Sequence, residues 1–150
     1  MQTIFNPDTR KELIGRISLL KAEMKPEWGK MNVYQMVKHN TYWNAWILGT
    51  AGQVYRQTLM GKIFGKFALQ RMIKDEKPLD KNIPTSEQFK VKKEWGDLPS
   101  EIEKWICLIE EYAHYSNPEF VHDFLGKMSE EQIGILVYKH TDHHLRQFRV

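Results

Sequence analysis

Apolar residues recur every three or four positions in four stretches of the chain, the period of one face of an α-helix. In the first stretch Ile14, Ile17, Leu20 and Met24 mark that face. Asn6 stands where a cap is needed, and Pro7 suits the first helical position, where a missing N–H costs nothing. Pro26 and Gly29, in KPEWGKMN, then break the pattern. The second stretch follows Asn32, a good cap, and runs towards Gly49 with Met36, His39, Trp43, Trp46 and Ile47 on one stripe. The third begins near Pro99 or Ser100 and turns Ile102, Trp105, Ile106, Ile109 and Tyr112 or Ala113 inward. The fourth opens on a capping box in which Ser129 caps and Gln132 reaches back, with Glu130 and Glu131 complementing the helix dipole. Its stripe runs through Ile133, Leu136 and Val137 into His140 and His144. The spacing predicts helices over 8–24, 33–49, 100–115 and 130–147, an all-α four-helix bundle with a long connection between the second and third helices.

That connection, residues 52–98, follows the pattern less closely. YRQTLMGKIFGKFALQRMIK has helical spacing but carries cations and two glycines, and reads as a partly packed crossover rather than a helix lying on a membrane surface. DEKPLDKNIPTSEQ, with Pro78 and Pro84, reads as irregular, and a connection of this length is usually functional or lies across the surface. SNPEFVHDFLGKM is the loop before the last helix.

Composition narrows the class. A chain of 150 residues, 41% hydrophobic and 27% charged, suits one globular domain over 1–150. No apolar run approaches the ~20 residues of a transmembrane helix. MQTIFNPDTRKEL lacks the layout of a signal peptide, and the lone Cys107 excludes an intramolecular disulfide, so the cytoplasm is the expected compartment. Cys107 itself reads as a small buried hydrophobe, since no base stands at a fixed spacing from it. A net charge of +3 with interspersed signs does not indicate nucleic acid, and no membrane partner is expected; a homodimer is one admissible assembly.

Histidine changes the picture more. Three of six histidines fall in YKHTDHHLRQF. His140 and His144 project on the same face one turn apart, His143 sits at the edge of that stripe, Asp142 points away, and Gln147 returns to the inner side. Both stripe histidines, like His39 on the second helix, continue an apolar face where a polar ring needs a partner. Together His39, His140 and His144 read as ligands of one divalent transition metal, Zn, Ni or Fe, since imidazole suits these better than Mg or Ca. Three protein ligands leave a position open, the mark of a catalytic site. His114, at the end of the third helix, reads as a helix-dipole partner; His122 reads as a solvated loop residue or one near a pocket mouth.

WGKMNVYQMVKHN and DFLGKMSEEQIGILVYKHTDHHLRQF resemble the DinB/YfiT-like superfamily of metal-dependent enzymes, in a branch of unknown function. The resemblance covers most of the chain and is weak over 52–98. It implies a four-helix bundle and a three-His metal site, with His39 as the lone ligand on the second helix, His140 and His144 as the H-x-x-x-H pair, and His143 as the extra histidine beside the last ligand. Relatives of that superfamily include transferases and isomerases that use low-molecular-weight thiols. The resemblance therefore implies a small-molecule substrate, with a thiol-dependent S-transferase or a hydrolase as the activity. The competing reading is a non-catalytic module that holds a small ligand or a metal, with Trp43 and Trp46 as contact surface. No general base is assigned; Lys and Arg of 56–74 are the cations offered for a substrate's carboxylates.

Overall fold

The computed structural model describes residues 1–50, 52 and 54–150. Its regular structure is all helical: α1 Pro7–Ile17, α2 Val33–Leu48, α3 Leu59–Ile73, α4 Leu98–Glu111 and α5 Glu130–Gln147. Short 3₁₀ turns cover Glu87–Phe89 and Tyr112–His114. Among the described residues there is no β-strand, only one bridge in which His122 and Gly126 exchange backbone hydrogen bonds of 3.0 Å.

The caps fall where local chemistry places them. Asn6 Oδ1 accepts from Asp8 N and Thr9 N, and Asn32 and Ser129 each form a capping box, with Gln35 and Gln132 respectively. Asp97 caps α4 by accepting from Ser100 N, so the helix starts at Leu98, one or two residues ahead of the expected Pro99 or Ser100. Gly49 closes α2 at φ 79°, a left-handed conformation open to glycine at no steric cost.

The first helix and the crossover depart from expectation. The first helix ends at Ile17, not Met24. Ser18 Oγ returns a 2.8 Å bond to Ile14 O and the backbone tightens to i→i+3 bonds at Leu19 and Leu20, so Leu20 is buried from a turn rather than from a helix. The crossover, in turn, contains α3, a full helix capped by Thr58. Gly61 and Gly65 face inward, where an added Cβ would meet Phe124 O at 2.5 and 2.0 Å, so glycine is what permits this close approach.

Helix α2 packs most extensively on α4 and also meets α5 and the Glu87–Phe89 turn; α1 lies against α4 and α5, and α3 against α5. Trp105, Ile109, Met36, Val37, Ile47, Leu136 and Leu145 make the dry centre. Full burial of each such side chain stabilises by roughly 1.5–3 kcal/mol. The buried Glu101 joins α4 to α2 through Lys38 at 2.8 Å, and Lys104 approaches it at 3.0 Å. Cys107 is exposed, against the expectation of burial, because α4 turns Trp105 and Ile109 inward and Cys107 to the other side.

Candidate metal centre

The helical period places His140 and His144 one turn apart on the inner face of α5, and α2 brings His39 opposite them. One ring nitrogen from each can be chosen so that all three lie within 4.8 Å of one another. His39 Nε2 and His140 Nε2 are 3.3 Å apart. Bonds of ~2.0–2.1 Å at tetrahedral angles hold two ligand nitrogens about 3.3–3.4 Å apart, so this pair already has the spacing of two ligands on one ion.

The neighbours set the tautomers. Phe89 O can only accept, so its 3.1 Å contact requires the proton of His39 on Nδ1 and leaves Nε2 bare. Gln147 Nε2 donates to Trp28 O at 2.6 Å, which fixes the amide with Oε1 towards His144 Nδ1 at 3.0 Å. His144 Nδ1 must then be the donor, and its Nε2 is free. Both rings thus carry the outer partner that metal-bound histidines almost always have. His140 is held differently: Trp43 stacks on it with ring centroids 3.9 Å apart, and its buried Nδ1 has no partner among the described residues.

Burial depresses the basicity of all three rings. His39 is held below the ordinary imidazole range by desolvation, against the pull of Phe89 O. His140 and His144 lie well below it, again through desolvation first and then through repulsion from neighbouring rings. Neutral imidazoles with inward lone pairs are the donor set a transition metal takes.

These rings stand in the wall of a cavity of about 940 Å³. Trp28, Trp43, Leu136 and Phe89 supply apolar wall, and the irregular segment around Ile83 to Ser86 lines it too. No Asp or Glu lines it among the described residues, which leaves the general base unassigned. Lys30, Lys90 and Lys92 are its cations, and none of Arg56, Lys62, Lys66, Arg71 and Lys74 reaches it, so the basic segment does not supply the substrate contact expected of it. Trp46 also lies outside the cavity, packed on Phe89 and Phe120.

The remaining histidines separate as the helical geometry requires. His143 is buried edge-on against Trp28, borders the cavity, and is outside the converging set. His122 lines the cavity, its Nδ1 accepting from Phe124 N and Leu125 N at 3.1 and 3.3 Å. Asp123 Oδ1 lies 2.9 Å from that same nitrogen, an ion pair only when the ring is protonated. His114 is exposed in the 3₁₀ turn after α4, one turn beyond the helix it was expected to end. Sequence reasoning missed Phe89 and Trp28 as outer partners, since both act through backbone carbonyls and carry no side-chain signal.

No helix among the described residues is long and apolar enough to cross a membrane. Comparison with curated proteins and with solved structures finds no match. A family model described as a protein of unknown function, DUF1569, matches residues 11–150, nearly the whole chain and every residue of the His39, His140 and His144 cluster. The chain belongs to the DUF1569 family.

Proposed function

We propose that this protein is a metal-dependent enzyme acting on a small molecule, as a thiol-dependent S-transferase or a hydrolase, from a divalent site held by His39, His140 and His144. The carrying observation is that these three rings converge to within 4.8 Å in the wall of a 940 Å³ cavity. A structural metal site is closed by four protein ligands, whereas three ligands facing a cavity leave a position for substrate or water. The resemblance to DinB/YfiT-like proteins supports the same reading. On it, α1, α2, α4 and α5 form the bundle of a single domain, and α3 belongs to the crossover.

A transition metal at this site would lower the pKa of a thiol or water at its open position. The chain's own contribution is orientation and exclusion of water. Phe89 O and Gln147 Oε1 hold two rings with Nε2 inward. Trp43 locks His140 by stacking and, with Leu136, makes an apolar wall that strengthens electrostatic interactions beside it. Lys30, Lys90 and Lys92 line the same cavity and suit an anionic group on the substrate, although Lys90 also pairs with Glu87.

The test is elemental analysis of purified protein, followed by conjugation assays with a chromogenic electrophile and several small thiols, and by ester and amide hydrolysis assays. Stoichiometric Zn, Ni or Fe with turnover that chelation abolishes and reloading restores is the expected result. Bound metal with no turnover of any thiol, ester or amide favours a non-catalytic ligand-binding module, which the absence of a cavity carboxylate among the described residues also favours. Failure to retain metal under any reconstitution rejects the site.

A further inference from the structure

From Leu59 to Phe67 helix α3 turns its small residues inward and its large apolar residues outward, whereas Leu69, Met72 and Ile73 in its last turns pack against the core. Gly61, Gly65 and Leu69 are its buried positions. Leu59 is 75% exposed, Met60 57%, Ile63 62%, Phe64 50% and Phe67 70%. At 100° per residue these five fill an arc of about 140° on the outer side. The two glycines explain the inversion: their lack of a Cβ lets α3 sit directly on the Phe124 carbonyl, and the bulky side chains are left on the far face. An exposed, contiguous apolar patch of this kind marks an interaction surface.

Charge identifies the partner. From Gly49 to Lys74 the sequence contains no Asp or Glu, but has Arg56, Lys62, Lys66, Arg71 and Lys74. Lys62 and Lys66 flank one edge of the apolar arc, and Arg71 lies on the other; among the described residues only Arg71 of these has an ion pair, an exposed one with Asp80 at 3.3 Å. Apolar and aromatic side chains projecting between flanking cations are the pattern of a helix lying in the plane of a membrane interface, with its basic side chains reaching anionic headgroups. A second copy of this chain fits less well. Two-fold pairing on this face would set the same cations against each other, with no carboxylate in the segment to neutralise them.

We infer that the outer face of α3 docks on the surface of a bilayer containing anionic phospholipid, without spanning it. This reverses the reading of the segment drawn from its sequence and stands independently of the metal centre. Ala68 and Met72 on the inner side of the same helix line the cavity, so docking seats the cavity beside the lipid.

The experiment is sedimentation of the 150-residue chain with vesicles of phosphatidylcholine alone and of phosphatidylcholine with phosphatidylglycerol at roughly 2:1. Pelleting with the anionic vesicles only, weakened by added salt, is expected. Ile63→Ser with Phe67→Ser should lower the apparent affinity at least about tenfold. Because both side chains are exposed, the melting midpoint should not fall, which separates lost docking from lost folding. Absence of pelleting with anionic vesicles overturns the proposal, as does pelleting that the double variant leaves unchanged. Self-association abolished by the same variant, without vesicle binding, assigns the face to a second copy instead. Capture on immobilised polyglutamate without vesicle binding assigns it to an acidic polypeptide.

Discussion

At the scale of single residues, the distinction between His143 and His144 is the sharpest. They are adjacent in sequence, but about 100° of helical rotation separates them. His144 aims Nε2 into the cluster, and His143 packs against Trp28. Titration with Zn should show His144→Ala abolishing stoichiometric binding and His143→Ala retaining most of it; equal losses would refute the facial assignment. Gln147 is the next test. It relays the Trp28 carbonyl to His144 Nδ1, and loss of such an outer partner typically lowers metal affinity 10–100-fold. Gln147→Leu, similar in size but unable to bond, should weaken Zn binding by about that factor while keeping the stoichiometry. Unchanged affinity would mean that packing alone orients the ring. The inward return of Gln147 was legible from spacing, whereas its partner at Trp28 O, 119 residues away, was not.

At the scale of elements, glycine has opposite meanings in two helices. Gly15 on α1 is exposed, and an added Cβ meets nothing within 4 Å. Gly15→Ala should stabilise the protein by roughly 0.5–1 kcal/mol, through helix propensity and a less flexible unfolded chain. Gly65→Ala on α3 puts a methyl 2.0 Å from Phe124 O, a backbone atom held in its own loop. It should destabilise by about 1–3 kcal/mol or shift the helix outward. Thermal or denaturant unfolding of the two variants decides the matter; a stabilised Gly65→Ala would show that α3 does not sit as described. This contrast also explains why α3 was read from sequence as crossover. Its large apolar residues from Leu59 to Phe67 lie outside and only its last turns, with Leu69, Met72 and Ile73, continue an inward stripe, so the principle that places large apolar groups inside fails where glycine permits a closer packing.

At the scale of the whole molecule, pH couples the three-histidine cluster to stability. Free imidazole titrates near ~6.5, whereas burial lowers His39, and lowers His140 and His144 further. Below about pH 6.5 the unfolded chain therefore binds more protons than the native one, so the metal-free protein loses stability as the pH falls. A metal binds only the neutral rings and stabilises the native state by mass action. Added Zn should raise the melting midpoint at about pH 7.5 and raise it much less at about pH 5. Equal increments at both values would show that protons do not compete for the ligand atoms. The metal-free chain should still melt cooperatively, because Trp105, Ile109 and their neighbours pack without reference to the three histidines.

Local chemistry determined much of this protein. The caps at Asn6, Asn32 and Ser129, the stripes of α2 and α5, and the shared face of His140 and His144 follow from helical period and hydrogen-bonding capacity within a few residues. So did the choice of His39, His140 and His144, because a polar ring on an apolar stripe needs a partner and three such rings can share one. Tertiary structure decided what depends on distant backbone. It placed Phe89 O behind His39 and Trp28 O behind His144, and chose which face of α3 would lie inside. Periodicity reports which side chains share a face. Only packing decides what that face meets, and carbonyl oxygens, present at every residue, give no sign in the sequence of which ones will be used.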